Sequence, residues 1–356
     1  MKRATHYALL SGVHATIPLA ELRALLSILD CTSEIREVAD RIVLISSSCP
    51  VLRAVAERSG MIVEVGRLLD VVHASEVGDD NVGELASRIA ASLCSILGPG
   101  STLRVSAKEL RGLLKVDSTA IAGRLASKLA KHVSECGIAL SPKSYTKELR
   151  LLLYADTLIV GLKEGERDLR RLNARRPSKR PFFYSGSLDP RLARALVNLS
   201  RPRPGDLYLD PFCGSGGFAI EAADMGLITL CGELDERLSK GALANVSFYG
   251  GGSHTDVVVW DARFTALRDN SIDAVSTDPP YGRSVSTRGV PLETLFLGFL
   301  EEVARVLRRG RYISSAAPHW VDVEELVEKA GLKPVELHYM RVHGSLTRKV
   351  IVALKP

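Results

Sequence analysis

Hydrophobic positions recur along this chain with two alternating periods, and the alternation predicts an α/β protein. Short apolar runs, such as 206–209, 227–232 and 256–260, have the length of buried strands. The segments between them carry apolar residues every three or four positions, which is typical of helices that bury one face. Strands that alternate with helices predict a mostly parallel sheet covered by helices, and the pattern at 334–353 adds a terminal antiparallel hairpin.

The same pattern divides the chain into four parts. Residues 1–58 form a small α/β unit that we interpret as a ferredoxin-like domain, and 59–165 form a second α/β domain. A basic linker covers 166–187, and 188–356 form the predicted catalytic domain. The elements predicted in the first two parts are strands at 7–13 and 102–108, strand pairs at 35–45 and 149–162, and helices at 18–29, 50–58, 79–97 and 118–135.

The clearest chemistry lies in the tetrad Asp278-Pro279-Pro280-Tyr281, which follows an apolar strand. Each proline fixes its own φ and restricts the residue before it, so the turn is stiff. The Asp278 carboxylate and the Pro279 carbonyl are acceptors for an exocyclic amine, and Tyr281 offers a ring face on which a base can stack. The tetrad therefore predicts a catalytic site for a planar heterocycle that bears an amino group.

A second motif begins at Asp210 and lies between a strand and a helix, where backbone N–H groups and a helix N-terminus meet a ligand. Gly214 and Gly216 allow close approach of the backbone, while Phe212 and Cys213 complete the loop. The spacing departs from the G-x-G-x-x-G fingerprint of dinucleotide sites, and an acidic residue suits a cationic ligand better than a pyrophosphate. We therefore predict a cofactor loop, in which Cys213 packs as a small residue and is not a nucleophile.

Charge is concentrated in the linker. The chain has a formal net charge of +6, and residues 166–180 hold seven cations against two anions. Aromatic rings follow directly, and a mixture of cations and rings suits the phosphates and bases of nucleic acid. A solvated basic hinge explains the same composition equally well. The candidate RNA-binding residues are Arg175, Arg176, Lys179, Arg180, Phe182 and Phe183.

Other features limit the class of protein. The six cysteines are scattered and no histidines cluster, so we expect reduced thiols in a cytoplasmic protein and no metal site. No apolar run approaches the roughly 20 residues that span a bilayer, so no membrane association is expected. The N-terminus lacks the apolar region of a signal peptide.

These motifs resemble those of known enzymes. The Asp278–Tyr281 tetrad resembles the catalytic motif of amino-group methyltransferases that act on nucleic-acid bases, and D-P-F-C-G-S-G from Asp210 is similar to the first motif of class I methyltransferases. The strand at 102–108, a helix rich in small residues and a strand ending I-V-G-L are similar to the THUMP domain, an RNA-binding module. With the string L-x-P-x-L-A-R-A-L-V-N-L from Leu188 and the run Asp278 to Ser284, the chain resembles archaeal tRNA guanosine-10 N2-methyltransferases along its whole length.

The resemblance implies S-adenosylmethionine as cofactor and tRNA as substrate. Because RNA-binding and catalytic parts are joined in one chain, we expect the protein to act as a monomer, and a protein partner is the open alternative. Glu233 ends the second strand, where a carboxylate takes the ribose hydroxyls, but Asp235 stands close enough to take that role instead. Asp261, with Ala262 beside it, resembles the acid that accepts from the adenine amine.

Several alternatives remain open at this stage. The same tetrad serves N6-adenine methyltransferases and enzymes that modify another tRNA guanosine. A non-catalytic RNA-binding protein with a decayed methyltransferase fold is a further alternative, although Asp210, the glycines and Asp278 are intact. The sequence does not distinguish the addition of one methyl group from the addition of two.

Overall fold

The structure is a computed structural model that describes residues 4–39, 41–50, 52–73, 76, 81–110, 117–282, 289–343 and 346–356. It divides into two compact units built from interleaved segments of the chain. The first unit comprises Met1–Leu10, Thr32–Ala56 and Val63–Glu166. The second unit comprises Ser11–Cys31, Glu57–Ile62 and Arg167–Pro356.

The N-terminal half of the chain contributes an eight-stranded sheet and four helices to the described structure. The strands are β1 (His6–Leu10), β2 (Ser33–Ala39), β3 (Ile42–Ser47), β4 (Ile62–His73), β5 (Thr102–Glu109), β6 (Ala139–Leu140), β7 (Lys147–Tyr154) and β8 (Thr157–Glu166). The helices are α1 (Ile17–Ile28), α2 (Arg53–Arg58), α3 (Val82–Ile96) and α4 (Ser118–Ser134).

One continuous sheet forms the first unit, in the order β2-β3-β1-β4-β8-β7-β5-β6. The predicted strand pairs β2–β3 and β7–β8 are confirmed as antiparallel ladders. Near the middle of the sheet Tyr7 is fully buried, and a Cβ at Gly66 or Gly161 would lie 2.4 Å from its ring, so only glycine fits beside it. Helices α3 and α4 pack on the sheet through a leucine-rich core.

The predicted boundary at residue 58 differs from the observed division. Strand β4 was not anticipated, and it lies between β1 and β8, so the two predicted domains share one sheet. Helix α1 instead belongs to the second unit, where Ile17, Ala20 and Ala24 join a core cluster with residues of the catalytic region. Its Glu21 is fully buried and accepts hydrogen bonds of 2.7 Å from the N–H groups of Gly60 and Met61 and from the Asn198 amide.

The C-terminal half supplies the remaining elements. The helices are α5 (Leu169–Ala174), α6 (Pro190–Leu199), α7 (Gly217–Asp224), α8 (Glu236–Phe248), α9 (Leu292–Val306) and α10 (Val323–Lys329). The strands are β9 (Leu207–Asp210), β10 (Ile228–Glu233), β11 (Thr255–Val259), β12 (Ile272–Thr277), β13 (Leu307–Pro318), β14 (Lys333–His343) and β15 (Leu346–Leu354).

The second unit confirms the predicted catalytic fold. Its sheet has the order β11-β10-β9-β12-β13-β15-β14, with parallel pairs from β11 through to β13. The terminal strands β14 and β15 pair antiparallel, and β15 also pairs antiparallel with β13. Strand order reverses between β9 and β12. In open parallel sheets ligands bind at the carboxyl ends of the strands beside such a reversal.

Cys94 and Cys136 form a disulfide with Cα atoms 5.8 Å apart, so the expectation of reduced thiols is wrong for this pair. This disulfide has no local signal in the sequence, because the two cysteines are 42 residues apart and meet where α3 packs against α4. Among the described helices, none is both long enough and apolar enough to cross a membrane.

Candidate active site

Strand β12 places the proline turn at the reversal point of the sheet. All six of its residues are buried, because the strand lies between β9 and β13 with helices on the faces of the sheet. Its last residues are fixed by hydrogen bonds from the Ser276 hydroxyl to the Leu196 carbonyl (3.1 Å) and from Thr277 Oγ1 to Asp210 Oδ1 (2.7 Å). Asp278 therefore leaves the sheet from a rigid base.

The Asp278 carboxylate has two partners. The Tyr281 hydroxyl donates to its Oδ1, and Nη2 of Arg348 lies 3.3 Å from its Oδ2. Burial raises the pKa of Asp278, while the Arg348 charge and the Tyr281 hydrogen bond act in the opposite direction. Burial and the nearby Asp278 charge raise the pKa of Tyr281 well above its usual value, so Tyr281 is a donor at neutral pH.

The ring of Tyr281 has a definite environment. It packs beside the core cluster of β12 and α9, and the Arg348 guanidinium carbon lies 5.6 Å from the ring centre. Stacking of a base on Tyr281 therefore remains a prediction. Pro279 is buried behind the turn, and Pro280 is half-buried. Arg283 and Ser284, the end of the predicted motif, lie outside the described residues.

The glycine loop follows β9 as predicted. Gly214 and Gly216 have φ values of +55° and +83°, which residues with a Cβ adopt rarely. A Cβ at Gly214 would meet nothing within 4 Å, whereas one at Gly216 would lie 3.3 Å from the Ala242 carbonyl of α8. The loop is therefore open on the Gly214 side and packed against α8 at Gly216.

Cys213 corrects a second expectation. It is buried, as predicted, but its sulfur is bonded to Cys231 of β10, with the two Cα atoms 5.4 Å apart. The Cys213 N–H also donates to the Gly232 carbonyl at 2.8 Å. The disulfide and the hydrogen bond together attach the loop to the adjacent strand, so Cys213 is a cross-linked structural residue of the cofactor loop.

Asp210 is the most unusual residue of the loop, because it is fully buried with one oxygen unused. Its Oδ1 accepts from Thr277 and from the Phe212 N–H, but Oδ2 has no hydrogen-bond partner within the described part of the chain. Burial raises the pKa of Asp210 to about 8. A buried carboxylate with a free oxygen is stabilised by a cationic donor. The ammonium and sulfonium groups of S-adenosylmethionine supply such a charge, so this residue fits the predicted cofactor.

The two acidic candidates at the end of β10 have different surroundings. Glu233 accepts from the Gly214 N–H (2.9 Å) and from the Asp235 N–H (2.9 Å), which places its carboxylate at the glycine loop. Asp235 instead caps α8 by accepting from the N–H groups of Arg237 and Leu238. Burial raises the pKa of Glu233. Glu233 is therefore the better candidate for the ribose hydroxyls.

Asp261 follows β11, as predicted, and carries a bidentate pair with Arg263. The distances are 2.7 Å to Nη2 and 3.0 Å to Nε, and these hydrogen bonds lower the pKa of Asp261. Ala262 is buried in the core cluster beside it. Trp260 approaches β10 so closely that a Cβ at Gly232 would lie 1.7 Å from its indole nitrogen. This corner is thus closed by an indole ring, with Asp261 at its edge.

The basic linker differs most from its prediction. Arg175 and Arg180 are buried, and Arg175 makes hydrogen bonds of 2.7 and 2.8 Å with the fully buried Glu221 of α7. Nε of Arg180 donates to the Arg175 carbonyl. Neither side chain is available to a phosphate of RNA, because the linker folds against α7. Arg176 and Lys179 are exposed, and their role in RNA binding stays a prediction.

The two candidate aromatic residues of the linker, Phe182 and Phe183, differ in their exposure. Phe183 is 61% exposed, as an RNA-contacting ring would be. Phe182 packs on α8, where a Cβ at Gly241 would lie 2.3 Å from its ring, and its backbone exchanges two hydrogen bonds with the Asn245 amide. Asn245 also donates to the Ser215 carbonyl of the glycine loop. Phe182 is therefore held in a segment attached to the cofactor loop.

Three further residues lie at the site, and the sequence did not single them out. The Ser187 and Ser215 hydroxyls are 2.6 Å apart, which connects the end of the linker to the glycine loop. Tyr184 lies near enough to Glu233 for that charge to raise its pKa, after the larger effect of burial. Arg348 contacts Asp278 from a strand 70 residues further along the chain. A serine, a tyrosine and an arginine outside any motif give no sequence signal for these contacts.

Comparison with known proteins agrees with this geometry. Residues 177–350 match a family described as UPF0020, an RMKL-like methyltransferase domain. The crystal structure of TrmN from Thermus thermophilus superposes with a TM-score of 0.55 at 23% identity and covers 99% of this chain and all of its own. SMU.472, solved in complex with SAH, superposes with a TM-score of 0.54 at 15% identity and covers 100% and 99% of the two chains. Fold and site together define a class I S-adenosylmethionine-dependent methyltransferase.

Proteins related in sequence indicate the family within this class. The tRNA (guanine(10)-N2)-dimethyltransferase of Methanothermobacter thermautotrophicus is 42% identical over 57% of this chain, and the match spans 60% of that protein. The enzyme of the same name from Methanocaldococcus jannaschii is 28% identical over 92% of this chain and 95% of its own. A probable enzyme of this name from Methanothermococcus thermolithotrophicus is 34% identical, and 98% of it is covered. This chain belongs to the family of tRNA (guanine(10)-N2)-dimethyltransferases.

Proposed function

We propose that the protein transfers methyl groups from S-adenosylmethionine to the exocyclic N2 of guanosine 10 in tRNA. The observation that carries the proposal is the juxtaposition of two buried carboxylates at the reversal point of the sheet. Asp210 ends β9 with an unused oxygen, and Asp278 begins the rigid turn after β12. One suits a cation and the other suits an amine. Membership of the family supplies the identity of the base and of the nucleic acid.

The residues of this chain hold the cofactor at the glycine loop. In this proposal Asp210 receives a cationic group, Glu233 the ribose hydroxyls and Asp261 the adenine amine, while Phe212, Gly214 and Ala262 shape the walls. The unused oxygen of Asp210 and the hydrogen bond from the Gly214 N–H to Glu233 support these roles. When bound, S-adenosylmethionine supplies a methyl group that is already electrophilic. The remaining task of the protein is to present a poor nucleophile in the correct orientation.

Asp278 and the Pro279 carbonyl carry out that task. The lone pair of guanine N2 is delocalised into the ring, and hydrogen bonds from the amine to these two acceptors favour a pyramidal nitrogen. Orientation by fixed acceptors in a site with little water is an efficient source of rate enhancement. The raised pKa of Asp278 also makes this carboxylate a better acceptor for the proton that leaves N2. Tyr281 supports the carboxylate through its hydroxyl.

The substrate is proposed to be guided by exposed groups of the linker. Arg176 and Lys179 suit the phosphates of tRNA, and Phe183 suits a base or ribose face. The first unit, with its THUMP-like strands and helices, is proposed as the RNA-binding part. We propose that the protein acts as a monomer in the cytoplasm, and the joining of the proposed RNA-binding part and the catalytic part in one chain supports solitary action. Two methyl groups are proposed to be added, as the names of the relatives state for those proteins.

The proposal is tested with labelled S-adenosylmethionine and a tRNA transcript, followed by identification of the methylated nucleoside. We expect N2-methylguanosine and N2,N2-dimethylguanosine, and their loss when guanosine 10 is replaced by adenosine. D278N should reduce kcat by about 100- to 1,000-fold, as loss of a fixed polar group does in other active sites. Binding of S-adenosylhomocysteine to D278N should persist. Methylated adenosine, or turnover by D278N at the rate of the unchanged protein, would contradict the proposal.

A further inference from the structure

Arg348 is the only cation within 4 Å of Asp278 among the described residues. It lies on β15, where it is opposite Pro318 at the end of β13 and opposite Met340 on β14. The strand order puts β13 between β15 and β12, so the Arg348 side chain must reach past the end of β13 to contact the catalytic turn. Both members of the pair are largely buried, with side-chain exposures of 15% for Arg348 and 13% for Asp278.

The pair has a defined electrostatic surrounding. Among the described residues, the charged and titratable groups that face Asp278 are Arg348 from β15, Tyr281 from the same turn and Asp210 from β9. Burial and the mutual repulsion of Asp210 and Asp278 favour protonated carboxyls, and Arg348 opposes this effect at Asp278. A carboxylate that must accept from an amine has to be ionised. Arg348 thus supports the form of Asp278 that the reaction needs.

Arg348 also lines a cavity. This cavity of about 310 Å³ lies within the second unit, and its walls include Ser187, Leu188, Met340, Arg341 and Arg348. Its volume falls within the range of small-ligand sites, and its lining combines apolar side chains with polar and charged ones, among them His14, Asp189 and Arg191. Ser187 connects its wall to the glycine loop through Ser215. Arg348 therefore contacts both the catalytic carboxylate and a ligand-sized cavity.

The Arg348 guanidinium also has a hydrogen-bond donor that no described residue uses. Nη2 is directed to Asp278, but Nε is buried and has no hydrogen-bond partner in the described structure. A buried donor without a partner is destabilising, and an acceptor from a bound ligand relieves that cost. Nucleotides offer such acceptors on the base, the ribose and the phosphate, and the rigid fork of an arginine can serve two groups at once.

We propose that Arg348 is a positioning residue for methyl transfer, which holds the Asp278 carboxylate toward the amine and donates to the target nucleotide, part of which enters the adjoining cavity. This inference rests on the proposed function for the identity of the nucleotide, but the pairing with Asp278 stands independently of it. Arg348 itself exchanges no proton in the reaction.

A general attraction between basic residues and polyanionic tRNA is the competing explanation. Arg341 provides a matched control, because it lines the same cavity from β14, is exposed, and makes no described ion pair with Asp278. R341M removes the same charge from the same cavity. If only general attraction matters, R341M and R348M will raise KM for tRNA equally and leave kcat unchanged.

The experiment compares R348M, R348Q, R348K and R341M in tRNA methylation across pH 5–9. We expect R348M and R348Q to lower kcat by about 100-fold, the scale of a misplaced reacting group. Their acidic limb of kcat/KM should move to higher pH, because the cation that opposes protonation of Asp278 is gone. R348K, which keeps the charge, should retain the acidic limb of the unchanged protein and recover part of kcat. R341M should affect KM alone.

A second measurement does not depend on catalysis. In protein with ¹³C-labelled aspartate carboxyls, assigned with D278N, the NMR titration of Asp278 should move to higher pH in R348M and R348Q. Thermal unfolding and binding of S-adenosylhomocysteine verify that each variant is folded, and R348Q replaces R348M if the latter does not fold. An unmoved titration together with unchanged kcat would overturn the role of Arg348. Absence of guanosine methylation by the unchanged protein would overturn the proposed function and leave the titration result standing.

Discussion

Two clusters of buried charges lie on the second unit, and they differ in how completely the charges are matched. In the first, the buried Glu221 receives hydrogen bonds from Arg175 and from Arg194, and Asp224 receives 2.7 Å and 3.1 Å contacts from the same two arginines. We call these four residues the paired cluster. The second cluster comprises Asp210, Glu233 and Asp278, and Arg348 is its one closely paired cation in the described chain.

This difference in charge matching distinguishes a cluster with a structural role from a cluster with a functional role. The paired cluster satisfies its carboxylates with permanent partners from neighbouring helices and the linker. The second cluster has three carboxyls whose pKa values are raised, first of all by burial, and Asp210 keeps an unused oxygen. Such an arrangement is unfavourable without a ligand and favourable with a cationic one. Unmatched charge at the carboxyl edge of the sheet is therefore the physical mark of the active site.

The largest change in unfolding free energy is expected when the paired cluster is disrupted. R175M leaves Glu221 buried with one partner removed, and removal of one member of a buried pair costs about 3–5 kcal/mol of unfolding free energy. We expect a loss of this size in chemical denaturation, with little tRNA methylation because the folded fraction falls. E221Q/R175M, which removes both charges, should recover part of the stability. Stability unchanged in R175M would show that the pair is dispensable.

The paired cluster also shows which contacts could not be predicted from the sequence. Asp278, its prolines and the glycine loop are predictable because their properties are local: a strand, a rigid turn and residues that allow special backbone angles. Arg175 was instead predicted to bind RNA, because its partner Glu221 is 46 residues away on α7 and leaves no local signal. Arg348 carried no signal because only the antiparallel placement of β15 brings it to the turn. Strand β4 was missed, and with it the single sheet of the first unit.

A smaller effect, of opposite sign, is expected at Asp210. In the folded protein without ligand its pKa is raised to about 8, whereas an unfolded aspartate titrates near 4. The folded state therefore holds a proton that the unfolded state loses, so this group lowers stability as pH rises from about 4 to about 8. D210N removes that penalty and should stabilise the ligand-free protein at pH 8 by roughly 1–3 kcal/mol.

The same variant should weaken the cofactor site. Loss of one hydrogen bond to a charged group corresponds to about a 10- to 100-fold increase in Kd for S-adenosylmethionine. The affinity of the unchanged protein for S-adenosylmethionine should rise with pH toward about 8, where Asp210 ionises. D210N is the reference, because subtracting its pH dependence removes the effect of the ligand's own titration. Calorimetry across pH 6–9 measures both. A D210N protein that binds the cofactor as tightly as the unchanged protein would exclude Asp210 from the site.

The smallest effect is expected at charges on the surface, where Arg176 is 46% exposed and lies 4.0 Å from Asp189. Arg176 and Lys179 stand on the exposed side of the same linker that buries Arg175, so R176A/K179A should change unfolding free energy by less than about 0.5 kcal/mol. If these cations contact phosphates, KM for tRNA should rise several-fold, and the slope of log affinity against log salt should become shallower by roughly one to two units. K240A removes an exposed cation of α8 that pairs with Glu236 and should leave the slope unchanged. Equal slopes for the double variant and the unchanged protein would show that the exposed face of the linker does not contact tRNA. Other parts of the molecule would then have to bind the tRNA.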